Sequence, residues 1–264
     1  MPQFPKPGHA YGVDPHRRER YSLRQARYDA SAENIEEWAA SAAREGKRLR
    51  VLDVACGPGL LLRHLEARPH FAAMTISGTD LTQHPVLYRR DLYREFFAGD
   101  VMQGYPEIPS GSYDVVVCEQ LLEHLPKLDA AMSTLERVLA PGGHLIVGVP
   151  IFLPPLAAGR THLVPLFDRM FQPTRSRGHL QAFSLASFLR EMRRHTQLRL
   201  VKTRGFRVIS GGVLRPLENH RWWWKLNRRL GELMPSACVE VQAIFQKPLD
   251  MRTAASVTRQ AATA

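Results

Sequence analysis

The stretch Val51-Leu52-Asp53-Val54-Ala55-Cys56-Gly57-Pro58-Gly59-Leu60-Leu61-Leu62 decides the fold of this chain. Its first four residues form a short, largely apolar run, which is typical of a strand covered on both faces. Gly57 and Gly59 favour a tight turn in which a ligand can approach the backbone without meeting a Cβ atom. Pro58 suits the first turn of a helix. Asp53 is an acid near the end of a buried strand, so we expect it to face a polar ligand.

Strands and helices alternate outward from this stretch. The patterns predict strands at Leu49–Val54, Ala73–Asp80, Phe96–Asp100, Tyr113–Cys118 and Leu145–Val149, helices at Leu60–Ala67 and Asp129–Ala140, and a turn at Pro141-Gly142-Gly143. A helix at Ser184–Arg194 and an antiparallel pair of strands at Leu198–Ile209 and Val239–Phe245 follow. Such alternation indicates βαβ units. We therefore expect an α/β fold with a doubly wound, mostly parallel sheet of seven strands.

The flanking segments divide the chain further. Residues 15–46 have a helical pattern, in which Ser31 is a candidate cap of a second segment and Gly46 its end. Residues 150–178 contain five prolines and no regular period, which is typical of a lid. We expect an N-terminal helical cover at 1–48, a ligand-binding α/β core at 49–150, a lid, helices and last strands of the same domain at 151–247, and a disordered tail at 248–264.

Acidic residues stand at several predicted strand ends, where open α/β sheets bind their ligands. Asp80 follows Gly59 by 21 residues and could accept both hydroxyls of a ribose. Asp100 could accept from an adenine amino group while Val101 covers the ring. Each acid taken alone could instead cap a helix or form a turn.

The segment from Asp53 to Gly59 resembles motif I of the class I S-adenosylmethionine (SAM) methyltransferases, with Ala55 in place of the first glycine. It lacks the third glycine of a dinucleotide-binding motif, because Leu62 stands there. Further along, Ser112–Val117, Leu121–Leu125 and Arg137–Leu145 are similar to consecutive signatures of a broad group that includes the ubiquinone-biosynthesis O-methyltransferases. The resemblance covers residues 49–150 well and is weaker over 177–206.

This resemblance implies a Rossmann-like methyltransferase fold and S-adenosyl-L-methionine as cofactor. It implies a cofactor site formed by Asp53, Ala55, Cys56, Gly57, Gly59, Asp80, Leu81, Asp100, Val101, Glu119 and Gln120. In the quinone O-methyltransferases a Glu-x-x-Glu-His segment can hold a divalent metal. Here Glu123 and His124 match its end, but Gln120 replaces the first Glu. Because an amide is a poor substitute for a carboxylate at a hard cation, we predict no metal.

Methyl transfer from an activated sulfonium needs orientation and, for a hydroxyl acceptor, a base. Histidine suits this role at neutral pH, and the candidates are His124, His162 and His179. His179 is favoured because it follows the predicted lid and precedes a helix that should return to the sheet. The chain has eleven histidines, and most histidines in a protein are structural or exposed.

The net charge of +11 is unevenly distributed. Residues 160–230 contain 16 Lys and Arg against three acids, a balance of +13, which leaves −2 for the rest. We expect this region to meet an anionic partner: a membrane, an acidic small molecule or RNA. Within it, a helix at 217–234 that carries Trp222-Trp223-Trp224 would place Trp223, Leu226, Leu230 and Leu233 on one face. That face could lie on an anionic bilayer or pack on the domain.

These patterns favour methylation of a small-molecule acceptor, with O-methylation of a lipid-like or acidic substrate ranked first. One alternative is an RNA or protein methyltransferase that uses the basic surface; a second is a non-catalytic SAM-binding partner. A nucleobase methyltransferase is less favoured, because Cys118-Glu119-Gln120-Leu121 does not match the Asn/Asp-Pro-Pro-aromatic signature. Three widely separated cysteines, together with a first segment that lacks the apolar stretch of a signal peptide, indicate the cytoplasm, with peripheral membrane contact as an option.

Overall fold

The computed structural model describes residues 23–152, 180–208 and 212–249. Within these ranges the chain forms one seven-stranded sheet covered by helices. The strands are β1 Leu49–Val54, β2 Met74–Asp80, β3 Tyr93–Ala98, β4 Tyr113–Glu119, β5 Leu139–Pro150, β6 Arg199–Phe206 and β7 Glu240–Gln246. The α-helices are α1 Ala26–Arg44, α2 Leu60–Glu66, α3 Asp129–Val138, α4 Leu185–His195 and α5 Arg221–Leu233.

The strand order is β3-β2-β1-β4-β5-β7-β6. Strands β1 to β5 pair in parallel, and β7 runs antiparallel between β5 and β6. The predicted α/β class, the mostly parallel sheet and the antiparallel last pair are thereby confirmed. The chain moves outward from β1 through β2 to β3 and then returns to β4 on the other side of β1. This reversal places a topological switch point between β1 and β4, where α/β sheets bind ligands.

Both faces of the sheet are buried, which explains the apolar runs in β1 and β4. On one face, Val51, Val115 and Ile146 pack in a cluster with residues of α1 and α2. On the other face, Leu52 and Val116 pack in a cluster with residues of α3 and α4. A strand between two helical layers carries apolar side chains on both sides, so its sequence shows no alternation.

Strand β3 begins and ends earlier than predicted. It occupies Tyr93–Ala98 and not Phe96–Asp100, because Tyr93 already pairs with Ile76. This edge strand carries the exposed Arg94 and Glu95 near its start. Because these charged residues interrupt the apolar run, the hydrophobicity pattern does not indicate where the strand begins. Asp100 leaves the strand and caps the 3₁₀ turn Val101–Gln103.

Strand β5 also begins earlier than predicted, and the expected turn at Pro141-Gly142-Gly143 lies inside it. The pairing with β4 is irregular between Tyr113 and Val115, so the extra residues of β5 bulge there. The backbone of the glycine pair is also held from the other side, since the amide of Gly142 donates to the carbonyl of Lys247 and the amide of Lys247 donates to Gly143. These bonds keep the glycines in the strand.

The helical pattern of residues 26–44 forms one helix and not two. Ser31 was expected to cap a second segment, but it lies inside α1. Its hydroxyl donates to the carbonyl of Arg27, one turn earlier, and accepts from the side chain of Gln242 in β7. A serine that bonds back to residue i−4 is compatible with a continuous helix.

The tryptophan-containing segment forms the 3₁₀ helix Gly212–Asn219 followed by α5. Trp223 and Trp224 are buried against Leu23, Ala26 and Phe206, whereas Leu226 and Leu233 are exposed, so the prediction that Trp223 lies on one face with these leucines is wrong. Instead, Trp222 joins those two leucines on the exposed side of the helix. The reason is that α1 and β6 cover the side of α5 on which Trp223 and Trp224 lie.

No helix within 23–152, 180–208 or 212–249 has the length and apolar character needed to cross a bilayer. The three cysteines are all buried and free. The predicted lid over 150–180 falls largely outside the described residues, as does most of the predicted tail, and the predicted domain boundaries remain predictions.

Helix α5 approaches β6 at a glycine contact. A Cβ atom on Gly231 would overlap the carbonyl oxygen of Gly205. Replacing glycine by alanine in an open helix position stabilises it by up to about 1 kcal/mol. At Gly231 we expect destabilisation instead, because the added methyl group would force the helix away from the strand. Gly231→Ala should lower the free energy of unfolding by about 1–3 kcal/mol.

Urea denaturation measures this change, and Lys225→Ala on the exposed side of the same helix is the matched control, expected within about 0.5 kcal/mol of wild type. A Gly231→Ala variant as stable as the wild type would show that α5 does not pack on β6 in this way.

Candidate functional site

The parallel strands bring their carboxyl ends together at one edge of the sheet. Register pairs Asp53 of β1 with Val117 of β4, and Glu119 of β4 with Gly148 of β5. On the other side of β1, Val54 pairs with Thr79 of β2. The loops that follow these strands, which contain most of the predicted cofactor residues, therefore lie next to one another.

The loop after β1 has the backbone conformation that its glycines predict. Ala55, Gly57 and Gly59 have φ values of 56°, 52° and 82°, all in the left-handed region. A Cβ atom on Gly59 would press on Leu87, Tyr88 and Tyr93, whereas a Cβ atom on Gly57 would meet no atom within 4 Å. Gly59 is thus needed for internal packing, and Gly57 borders open space that suits a ligand. Cys56 is buried behind this loop.

Asp80 ties the end of β2 to this loop. One carboxylate oxygen accepts from the amide of Gly57 at 2.9 Å and the other accepts from the amide of Leu81 at 2.8 Å. A carboxylate has about four acceptor positions, so two remain for ribose hydroxyls. Leu81 is 68% exposed, which leaves its side chain open to a flat apolar ligand such as adenine.

Asp100 and Val101 are placed differently from Asp80 and Leu81. One oxygen of Asp100 accepts from the amide of Met102 at 2.9 Å, so the capping role that the sequence left open is realised. Val101 is buried in the main core cluster. The second carboxylate oxygen of Asp100 can still accept a hydrogen bond from a ligand. Val101 is part of the core that supports this end of the sheet.

Buried acids collect at this edge of the sheet. Burial, together with the charges of Glu119 and Asp80, raises the pKa of Asp53 well above its ordinary value. Burial also raises the pKa of Glu119 to about 7. A cation bound between these carboxyls would stabilise their ionised forms and lower the pKa of both. SAM carries a sulfonium and an ammonium group, so the donor set fits this cofactor.

A buried polar network extends from Glu119 toward the last strands. Glu119 accepts a hydrogen bond from the side chain of Gln242, and Arg27 of α1 donates to Glu240 at 2.8 Å. The Nε atom of Arg27 lies 3.5 Å from Glu119. Gly148 makes room for this arrangement, because a Cβ atom there would overlap the Glu119 carboxylate.

Sequence reasoning missed most of this network. The sequence placed Glu119 in the cofactor site without these partners, and Arg27, Glu240 and Gln242 were not considered. The available signal was the strand Val239-Glu240-Val241-Gln242-Ala243-Ile244-Phe245, in which polar residues alternate within a run that is otherwise apolar. Polar side chains that share one face of a buried strand need partners.

Gln120 follows Glu119 in the left-handed region, with φ of 56°. Its amide donates to the carbonyl of Gly148 at 2.8 Å. Its side-chain Nε2 atom is buried and finds no hydrogen-bond partner in the part of the chain that the structure describes. An orphaned donor at this edge is suited to a ligand carbonyl or carboxylate.

Glu123 and His124 lie in the 3₁₀ turn after β4. The Glu123 side chain is 0% exposed and the His124 side chain 44% exposed, with His124 Nε2 at 3.8 Å from Glu123 Oε1. Neither carboxylate oxygen of Glu123 has a hydrogen-bond partner among the described residues, and burial raises its pKa to about 7. His162 and His179 lie outside those residues.

The same residues bear on the metal prediction. Over the described ranges, no group of three or more His, Cys, Asp or Glu side chains is arranged to hold a metal ion. The absence of a metal stays a prediction.

Comparison with known proteins agrees with this geometry. A family model described as a methyltransferase domain matches residues 16–210, well over half of the chain. The chain belongs to this methyltransferase family. The Rossmann-like methyltransferase fold expected from motif I is thereby confirmed, with S-adenosyl-L-methionine as the cofactor of the family.

Curated relatives of this methyltransferase are distant. A ubiquinone biosynthesis O-methyltransferase of Pseudomonas savastanoi is 31% identical over 105 residues, which cover 36% of this chain and 42% of the relative. An uncharacterized methyltransferase of Mycobacterium bovis is 35% identical over 114 residues, 43% of this chain and 56% of the relative. The methyltransferase thus spans about half of these relatives or less, so their acceptors do not transfer directly.

Solved structures show the same fold. A Bacillus halodurans protein assigned as a methyltransferase aligns with a TM-score of 0.52 at 17% identity, covering 80% of this chain and 98% of that chain. A methyltransferase chain from Haloferax volcanii, solved in complex with the Trm112 activator, aligns with a TM-score of 0.51 at 15% identity over 84% and 97%. At these identities the likeness concerns the fold alone.

The position of Asp80 generates a binding prediction. We expect Asp80→Ala to weaken binding of S-adenosylhomocysteine, the demethylated product, by about a hundredfold, since hydrogen bonds to a charged group contribute about 1.5–3 kcal/mol. Titration calorimetry measures the affinity, which we expect to be micromolar or tighter in the wild type.

The control for this prediction is Glu107→Ala, which removes an exposed acid elsewhere on the surface. A thermal melt of both variants checks that the loop after β1 remains folded. Unchanged affinity in a folded Asp80→Ala protein would contradict the assignment of the ribose to Asp80.

Proposed function

We propose that this methyltransferase transfers the methyl group to a hydroxyl oxygen of a small acceptor that is lipid-like or acidic. The observation that carries the proposal is the pair of Glu123 and His124, a fully buried carboxyl beside a half-exposed imidazole. They follow β4 directly, at the same edge of the sheet as Asp53 and Glu119. A base at this position serves an oxygen acceptor, whose proton must be removed.

The cofactor supplies an activated methyl group on a cationic sulfur. The roles of the chain's own residues follow from that chemistry. Asp53, Glu119 and Gln120 would hold the cationic end, and Asp80, Leu81, Asp100 and Val101 would hold the adenosine end. Ala55, Cys56, Gly57 and Gly59 form the loop that lets the cofactor approach the backbone. Held in line, nucleophile and methyl carbon gain roughly 7–11 kcal/mol from orientation.

His124 would take the proton from the acceptor hydroxyl, while the bound cofactor would supply the methyl group to that oxygen. Glu123 lies next to the imidazole, where a carboxylate stabilises the imidazolium that forms. His179 is the second candidate for this base. The sequence places it just before residues 180–181, whose amides donate to the carbonyl of Glu123.

The names of the curated relatives support oxygen as the methylated atom. Several of them are ubiquinone biosynthesis O-methyltransferases. A lipid-like acceptor also agrees with the exposed apolar side chains of α5, and an acidic one with the positive net charge. A lipid-like acceptor would bring the enzyme into peripheral contact with a membrane.

An RNA or protein acceptor that uses the basic surface of residues 160–230 is the second candidate. Part of that charge is neutralised inside the protein, which weakens this alternative. Arg207 pairs with Glu240 at 2.6 Å and Arg228 pairs with Glu33 at 2.6 Å, and Arg204 is buried, where it donates to the neutral side chain of Gln242. Among the described residues of that region, exposed cations remain along α4 and the β6 edge, at Arg193, Arg194, Arg199 and Lys202, and on α5, at Lys225 and Arg229. The third candidate, a SAM-binding protein without turnover, predicts cofactor binding and no product.

The test is transfer of labelled methyl from SAM to a panel of hydroxylated benzoates and long-chain phenols, with the product atom identified by mass spectrometry. We expect O-methyl products, and His124→Asn should lower kcat by about 10²–10⁴-fold with little change in KM for SAM, because general base catalysis contributes that much.

The matched control is His195→Asn, which replaces a partly exposed histidine on α4 that pairs with Glu191. If wild type and His124→Asn turn over equally fast, His124 is not the base. The same measurement on His179→Asn then tests the second candidate. Methylation of nitrogen, or of RNA alone, would contradict the proposed acceptor.

A further inference from the structure

The exposed side of helix α5 is a stripe of large apolar residues. Trp222 is 56%, Leu226 40% and Leu233 78% exposed. At 100° per residue these three side chains fall within about 40° of arc, and they extend over about 16 Å of helix. The opposite side of the helix is filled, since Trp223 and Trp224 pack in a cluster with α1 and Gly231 lies on β6.

Two cations flank this stripe. Lys225 and Arg229 are exposed and lie within about one quarter turn of Trp222 on the helix. The nearest acid of the helix, Glu232, lies farther round and faces Arg228 at 3.8 Å. The exposed face of α5, defined by Trp222, Lys225, Leu226, Arg229 and Leu233, therefore combines apolar bulk with positive charge, and the acid at its border, Glu232, pairs with Arg228.

This combination favours an anionic bilayer over other occupants. A protein core would take the apolar residues but would bury Lys225 and Arg229 without partners. A nucleic acid would take the cations but would leave Leu226 and Leu233 in water. At a bilayer interface both needs are met, because apolar side chains enter the acyl boundary while lysine and arginine reach the headgroups. Tryptophan prefers the same interface.

The helix that carries this face is connected at the same edge of the sheet as the site. Helix α5 connects β6 to β7, and Phe206 at the end of β6 pairs with Glu240 at the start of β7. Glu240 in turn pairs with Pro150 at the end of β5 and bonds to Arg27. Both ends of the connection thus lie at the edge of the sheet where β1, β4 and β5 end, which is the edge that contains the cofactor residues.

We propose that the exposed face of α5 docks on an anionic lipid bilayer, with Trp222, Leu226 and Leu233 inserted at the interface and Lys225 and Arg229 on the headgroups. This inference deepens the proposed function, since a docked enzyme would meet a lipid-like acceptor at its site. Its test uses neither cofactor nor acceptor, so it can fail while methyl transfer to a soluble acceptor stands.

The experiment is flotation of the full chain with vesicles of phosphatidylcholine alone and of phosphatidylcholine mixed with phosphatidylglycerol, over a salt series. We expect binding to the mixed vesicles only, weakening as salt rises. Lys225→Gln/Arg229→Gln should lower the partition coefficient about tenfold to thirtyfold, and Trp222→Ser/Leu233→Ser should lower it at least as far. The matched control is Arg193→Gln/Arg194→Gln, which removes the same charge from exposed positions on α4 and should bind nearly as wild type.

Lipids brominated along the acyl chain give a second readout. They should quench the fluorescence of wild type and not that of Trp222→Phe, which retains the buried tryptophans and should still bind.

Three outcomes would overturn the proposal. In the first, vesicle binding is absent at low salt or is equal for the α5 and α4 variants. In the second, RNA binding depends on Lys225 and Arg229 while vesicles are ignored. In the third, Trp222→Ser/Leu233→Ser converts a dimer to a monomer in sedimentation without vesicles, which would make the face an interface between two copies. Thermal melts of all variants establish that these exposed substitutions leave the fold intact.

Discussion

The structure depends on how buried charges are matched beneath α1, where β4 and β5 end and β7 begins. Glu119 lies over Gly148 and accepts from Gln242, while Arg27 bridges the helix to Glu240. Charges in such a place are costly unless each has a partner. The network therefore fixes where the first helix sits on the sheet, and with it one wall of the site.

The same network leaves the site with acids that are incompletely matched. Asp53 and Glu119 are both buried, and burial raises the pKa of each. Arg27 Nε and Glu119 Oε2 have no hydrogen-bond partner among the described residues. A site of this kind is prepared for a ligand that carries positive charge, and SAM is such a ligand. Binding of SAM would place positive charge beside the buried acids that the folded protein alone leaves incompletely paired.

Much of the fold could be predicted from sequence because β1 and β4 are covered on both faces. Their apolar runs follow from that burial, and the glycines after β1 mark the loop because left-handed φ values are required there. The edge strand β3 was misplaced because exposed Arg94 and Glu95 interrupt its pattern. The glycine pair in β5 was read as a turn because its backbone bonds come from Lys247, far along the chain.

The parts of the site that sequence could not give are those made by distant partners. Arg27 and Glu240 are 213 residues apart and Gln242 and Ser31 are 211 apart. No local period reports such pairs. The charge count of residues 160–230 also overstates the positive charge available at the surface. Arg207 and Arg228 belong to this region but pair with acids outside it. In α5, the helical period predicted that large apolar residues recur along the helix. Which of them are exposed depends on the packing of α1 and β6 against the helix.

The central claim is that the acids at the strand ends hold the cationic end of the cofactor. Burial raises the pKa of Glu119 to about 7, so this carboxyl is partly protonated near pH 7, and burial also raises the pKa of Asp53. An approaching cation lowers both pKa values and expels protons. The direct measurement is titration calorimetry of SAM at pH 7 in buffers of different ionisation enthalpy. The account predicts net proton release on binding SAM, and less release on binding S-adenosylhomocysteine, which lacks the sulfonium charge. Proton uptake, or an enthalpy independent of the buffer for both ligands, would contradict it.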